Sequence, residues 1–143
     1  MKKSLIFAAA IMLAPLTASA DDDNYRPIRD NLVKKECGAC HLAFQAGLLP
    51  AKSWKSIMNG LEDHFGEDAS LDKKTARHIT DYLVRNAGRD RGAKASNRIT
   101  ELRWFVHEHR DHEVSARARK KAGTMANCIA CHKGADKGYY DDD

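Results

Sequence analysis

Apolar residues recur along this chain at helical rather than alternating spacing, in short runs separated by polar or glycine-containing breaks. Asn24 to Lys35 reads as a first helix, with Ile28, Leu32 and Val33 on one face and Pro27 near its start, where proline is tolerated. Leu48-Leu49-Pro50 reads as a turn. Ser53 stands as an N-cap before an apolar stripe of Trp54, Ile57, Met58, Leu61 and Phe65, which Gly66 would stop. Ser70 or Asp72 opens a third helix, with Ala76, Ile79, Leu83 and Ala87 inward and an end near Gly88. Asn86 to Ser96 is polar and basic and reads as a linker. Ile99, Leu102, Phe105 and Val106 mark a further helix running to about Arg110. A charged stretch from Arg117 to Lys121 leads through Gly123 toward the C-terminus, which closes on Tyr139, Tyr140 and three aspartates. No element has strand character. The expected fold is all-α, in two small lobes joined by long irregular connections: residues 21–92 and 93–143.

Composition supports helices, since Ala, Leu, Lys, Arg and Glu are common and β-branched residues few. The first twenty residues change the picture. Lys2 and Lys3, an uncharged stretch from Leu5 to Pro15 and the small-residue run Ala18-Ser19-Ala20 form a secretory signal peptide pattern. The apolar part is shorter than the ~20 residues a membrane span needs. Cleavage after Ala20 and a periplasmic location are therefore expected. Removing the two lysines lowers the formal charge from +4 to +2, too small to point to a partner. Basic residues are interleaved with acidic ones, so nucleic-acid binding is not expected.

The four cysteines carry the chemistry. They form Cys37-Gly38-Ala39-Cys40-His41 and Cys128-Ile129-Ala130-Cys131-His132, with none left over. Cys-x-x-Cys-His is the attachment signature of c-type haem. Each thiol can add to one vinyl group of the porphyrin, and the histidine directly after supplies an axial nitrogen. A four-cysteine zinc site is disfavoured by the separation of the pairs, 88 positions from Cys40 to Cys128. A thioredoxin-like pair lacks its strand–helix setting. Disulfides would suit an oxidising compartment but leave both histidines unexplained. Two covalently bound haem c groups are the expected cofactors.

Each iron needs a sixth ligand or an open site, and that choice sets potential and reactivity. Five further histidines are available: His64, His78, His107, His109 and His112. On a helical projection His64 falls beside Ile57, at the edge of the Trp54–Phe65 stripe. His78 shares a face with Asp81 and Arg85 and is expected at the solvated surface. His109 follows Phe105 by four and Val106 by three and points inward, whereas His107 falls on the polar face and His112 lies between. His64 is 23 residues after His41 and His109 is 23 before His132. Met58 competes with His64, because methionine also serves as a sixth ligand and raises the potential. For the second iron, His112, His107 and Met125 follow His109 in that order.

The chain resembles the bacterial dihaem cytochrome c family, small periplasmic proteins with two bis-histidine haems. The resemblance rests on Glu36-Cys37-Gly38-Ala39-Cys40-His41, Gly47-Leu48-Leu49-Pro50-Ala51, Ser53-Trp54 and Asp63 through Leu71. It continues at Trp104-Phe105-Val106, Glu108-His109-Arg110 and Asn127-Cys128 through Ala135. His107 departs from the pattern, which has arginine there. The resemblance implies His64 and His109 as distal ligands. It also implies electron donation to another periplasmic haem protein, in some members an oxygen-binding monohaem cytochrome, with a membrane b-type cytochrome as electron source. The expected function is a non-enzymatic, monomeric electron carrier with transient partners. The basic run Arg117, Arg119, Lys120 and Lys121 is a candidate docking charge. A haem enzyme or gas sensor with one open iron is the alternative.

Overall fold

Asp30 opens the first helix. Its carboxylate accepts from the amides of Leu32 and Val33, at 2.9 and 3.1 Å, and the chain turns into α1, Asn31–Cys37. A side-chain acceptor placed there satisfies amides that a helix start leaves without partners. The helix therefore begins seven residues later than the apolar spacing suggests, and Pro27 lies ahead of it in extended chain. The computed structural model describes residues 24–90 and 96–141. The signal-peptide reading and the 92/93 boundary fall outside the described residues.

Four more helices follow: α2, Ala51–Met58; α3, Lys73–Arg85; α4, Arg103–Glu108; and α5, Ala116–Ala122. Single 3₁₀ turns at Ala46–Leu48, Leu61–Asp63, Ile99–Glu101, Cys128–Ala130 and Ala135–Lys137 connect them. Among the described residues there is no strand, only isolated bridges, so the fold is all-α as expected.

Both boundaries of α2 also differ from the expectation, and the helix expected from Ile99 to about Arg110 is a 3₁₀ turn at Ile99–Glu101 followed by α4. Pro50, not Ser53, occupies the cap position of α2, and Ser53 is buried with its hydroxyl donating to the Ser96 carbonyl at 2.8 Å. The same helix ends at Met58, with Asn59 as its C-cap, eight residues before Gly66. Leu61 and Phe65 continue the apolar period beyond that end without continuing the helix. For α3 the choice resolves to Asp72, which accepts from the amides of Lys74 and Thr75. Ile79 and Leu83 are buried on its inner face, as the spacing requires.

Helices α2 and α3 pack on each other, and α1 lies against α3. The core they enclose contains Val33, Leu49, Trp54, Ile79 and Leu83. Leu102 and Phe105, from the C-terminal third, belong to the same cluster. Burying each such aliphatic or aromatic side chain contributes about 1.5–3 kcal/mol, so the core is a joint product of both ends. Val106, expected inward, is exposed: α4 is a single short helix whose buried face is taken by Phe105.

The two ends of the described residues also meet. The Tyr25 amide donates to the Gly138 carbonyl at 2.8 Å, beside a bridge between Asn24 and Tyr139. Gly138 has φ +90°, and a Cβ built there would lie 2.1 Å from the Tyr25 carbonyl oxygen, so only glycine admits this approach.

Candidate haem-ligand sites

The first cysteine pair straddles the end of α1: Cys37 is its last residue and Gly38 its cap. Gly38 donates its amide to the Lys34 carbonyl at 3.0 Å, and a Cβ on it would stand 2.4 Å from that oxygen. The turn carries Cys40 and His41 out to the surface. Burial, with the Glu36 carboxylate adding to it, pushes the Cys37 thiol up to about 11, so it stays protonated at neutral pH. Cys128 is also raised, chiefly by burial. The four thiols are unbridged, and among the described residues no three His, Cys, Asp or Glu side chains converge as a metal-ion cage.

His41 meets His64. Their ring centres are 6.1 Å apart, with planes 17° from parallel. His64 reaches this place from a reverse turn and not from a helix face. Its amide donates to the Glu67 carbonyl at 2.7 Å, and the Gly66 amide donates to the Asp63 carboxylate at 3.0 Å. Phe65 sits at φ +58°, a conformation costly for a bulky residue. The Arg98 guanidinium lies 4.2 Å over the Phe65 ring, whose other neighbour is His64 at 4.9 Å. Burial first, then His41 and Arg98, lower the pKa of His64 and favour the neutral imidazole that metals bind.

His109 meets His132 in the same manner, with ring centres 6.2 Å apart and planes crossing at 75°. His109 is the C-cap of α4, and its Nδ1 donates to the Phe105 carbonyl at 2.9 Å. The Nδ1 of His41 donates likewise to the Leu42 carbonyl at 2.7 Å. A carbonyl can only accept, so both rings carry their proton on Nδ1 and leave the Nε2 lone pair free for a metal. His132 follows the 3₁₀ turn Cys128–Ala130; its own Nδ1 is buried without a hydrogen-bond partner.

These separations have a physical meaning. Metal–imidazole bonds of about 2.0–2.1 Å, with about 1.1 Å from each nitrogen to its ring centre, put two trans imidazoles about 6.2–6.4 Å apart. Both pairs fall close to that span. Three exposed large apolar side chains, Phe65, Val106 and Ile129, stand next to His64, one turn from His109 and inside the second cysteine motif. A cavity of 630 Å³ adjoins His109, lined by Phe105, Val106, His112, Arg119 and Met125 among others. Paired thiols, paired imidazoles and adjoining apolar surface fit a flat, apolar, iron-containing group at each site.

None of the other candidates is paired with a motif histidine among the described residues, although His112 and Met125 line the cavity beside His109. His107 and His112 are exposed, each beside a carboxylate: Glu108 at 2.8 Å and Glu113 at 3.3 Å. His78 is half exposed and is not free in solvent, since its Nε2 lies 2.6 Å from the Asp30 carboxylate. Met58 and Met125 pack against the core. Arg119, read as a docking charge, instead turns inward: its Nε donates to the Val114 carbonyl at 3.2 Å and its Nη2 to the carbonyl of His109.

Several contributors had no signal in the spacing. Phe44 stacks on His41 at 5.2 Å; Phe105, four positions before His109 as the spacing has it, stacks on that ring at 3.9 Å. Gln45, wholly buried, donates its Nε2 to the Ala135 carbonyl at 2.7 Å and accepts the Tyr140 hydroxyl at its Oε1. The Tyr140 ring then lies 5.6 Å from His132.

No curated protein sequence matches the chain. Solved structures do. It is 46% identical to a diheme cytochrome c from Rhodobacter sphaeroides, with a TM-score of 0.74 over 80% of this chain and 98% of that one. A crystal structure of DHC purified from Rhodobacter sphaeroides is 49% identical, with a TM-score of 0.72 over 79% and 98%. A diheme cytochrome type c from Shewanella baltica is 38% identical, with a TM-score of 0.67 over 78% and 86%. The family model for dihaem cytochrome c matches residues 33–140. Its helical fold, its paired thiols and histidines and these likenesses agree: the chain belongs to the dihaem cytochrome c family, whose cofactors are haems.

Proposed function

We propose that the protein is a periplasmic electron carrier whose two haems are attached covalently, one at Cys37 and Cys40 and the other at Cys128 and Cys131. His41 and His132 are the proximal ligands; His64 and His109 are the distal ones. The observation that carries this reading is the ring spacing of 6.1 and 6.2 Å in the two pairs. Haem iron held in this way supplies one-electron exchange.

The protein's own contribution is to close both ligand positions and fix them. The Nδ1 bonds of His41 and His109 orient their rings, and the Phe65 turn presents His64. A site already closed by two side chains offers no place for a substrate, which favours a carrier over an enzyme. Docking partners are other periplasmic haem proteins, an oxygen-binding monohaem cytochrome among them, with a membrane b-type cytochrome as electron source. Such encounters are transient and salt-sensitive, steered by surface charge. Arg117, Lys120 and Lys121 are exposed and available for this, whereas Arg119 is committed internally.

Visible spectra of holoprotein matured in a haem-attaching host test the reading. Low-spin spectra with no response to carbon monoxide in the reduced protein are expected. A high-spin band, or carbon monoxide binding at either haem, would overturn closed ligation and favour an enzyme or gas sensor. Export is tested separately, by sequencing the N-terminus of protein recovered from the periplasm, where Asp21 is the expected first residue.

A further inference from the structure

The two histidine pairs share a spacing but not an orientation. His41 and His64 are within 17° of parallel, while His109 and His132 cross at 75°. The contacts around His109 show why its ring cannot turn. It lies face-on against Phe105, at 3.9 Å between centres and 8° between planes. Its Nδ1 is tied to the carbonyl of that same residue, at 2.9 Å. Its own carbonyl, at the helix end where backbone acceptors lack intrahelical partners, receives Arg119. The same guanidinium also reaches the Val114 carbonyl and the Asp111 carboxylate, each at 3.2 Å. Rotation of the ring would break the Nδ1 bond and lift it off Phe105. Among the described residues His64 has no such clamp; its aromatic neighbour Phe65 is tilted by 60°.

We propose that Phe105 and Arg119 are positioning residues that hold His109 crossed against His132, and that the two iron sites are thereby electronically distinct. The inference rests on the four histidines being the axial ligands. An imidazole donates through the π orbital perpendicular to its ring. Two parallel rings act on the same iron dπ orbital and separate it from its partner. Two crossed rings act on different dπ orbitals and leave them nearly equal in energy. Near-degenerate orbitals retain orbital angular momentum, and the magnetism of that low-spin iron becomes strongly anisotropic.

Low-temperature electron paramagnetic resonance of the oxidised holoprotein tests this. The expected result is two low-spin signals of equal intensity: an ordinary rhombic one, and a strongly anisotropic one with a single prominent low-field feature. Arg119→Gln is expected to shift the anisotropic signal toward the rhombic type and leave the other unchanged, while Arg117→Gln, with the same loss of charge on the same helix, leaves both unchanged. Phe105→Leu should act as Arg119→Gln does; Phe105 is buried, so the wild-type spectrum and Arg119→Gln decide the matter if that variant does not fold. Two rhombic signals in the wild type, or an anisotropic signal indifferent to Arg119→Gln, would overturn the inference. A high-spin signal in the wild type would overturn the ligation reading beneath it.

Discussion

The hydroxyl of Tyr140 donates to the side-chain oxygen of Gln45, 95 positions earlier, near where the two ends of the described residues meet. Both ends of the Gln45 amide are used, since its nitrogen donates to the Ala135 carbonyl. Burial, with Cys128 and Tyr25 adding to it, raises the Tyr140 phenol well above its ordinary pKa and keeps it a donor across the working pH range. Replacing Gln45 by Leu strands a buried carbonyl and a buried hydroxyl, at about 1–3 kcal/mol each. Tyr140→Phe strands the buried Gln45 oxygen and should cost about 1–3 kcal/mol. A double-mutant cycle in denaturant, Gln45→Leu with Tyr140→Phe, is expected to show coupling; strict additivity would mean that the two side chains act independently.

Gly138 is expected to tolerate no side chain. Its φ of +90° and the 2.1 Å approach to Tyr25 place two penalties on one position. Gly138→Ala should lower unfolding stability by about 1–3 kcal/mol for the strained backbone alone. Equilibrium unfolding gives the number; a loss under 0.5 kcal/mol, on the order of a neutral surface change, would show that Tyr25 and Gly138 need not stay in register.

The acid limb of stability should depend on Asp30. The Val33 amide and then His78 hold its carboxyl below the ordinary range. A folded pKa below the unfolded one, about 3.9 for aspartate, stabilises the fold fully above that value. The contribution disappears as the pH falls through the folded value. Thermal midpoints followed by circular dichroism from neutral pH downward should therefore fall below about pH 4. Asp30→Asn should lower the neutral midpoint and flatten that fall. It should not abolish it, because Asp68 and Asp72 are depressed too, by bonds from Ser70 and Thr75.

Opening one iron at a time is the direct test of the distal ligands. His64→Ala and His109→Ala should each admit carbon monoxide to one of the two haems, about half the total haem absorbance change of a fully open protein, with the other remaining low-spin. His107→Ala and His112→Ala, whose rings are exposed beside Glu108 and Glu113, should leave both closed.

Much of this was legible in the sequence. Two Cys-x-x-Cys-His runs announce the chemistry, and Asp72, Ile79 and Leu83 place α3 with its cap and inner face. The face reading has His109 inward and His107 outward, and the structure has them half-buried and exposed, because α4 is a true helix up to the residue before His109. The helical projection of His64 does not hold in the structure, which puts that residue on a turn. The stripe from Trp54 to Phe65 keeps its period past Met58, but Asn59 and Gly60 end the helix, and His64 arrives on a strained turn. The period counts apolar residues and cannot see that Phe65 is 46% exposed, under Arg98. Asp30 carries a cap signal that the upstream Ile28 and Pro27 obscured. Gln45 had no local pattern at all, because its partners lie 90 and 95 positions away.

The junction of Tyr25 with Gly138 bears on the order of events in maturation. Contacts between distant positions pay the largest loop-closure cost and form after local ones. A chain made from its N-terminus completes Cys37, Cys40 and His41 while residues 135–140 do not yet exist. Until they arrive, Gln45 lacks both of its partners and Tyr25 lacks its carbonyl acceptor. Both partners of Gln45 thus come from one six-residue stretch, so the surroundings of the first cysteine pair are complete only when residues 135–140 are in place.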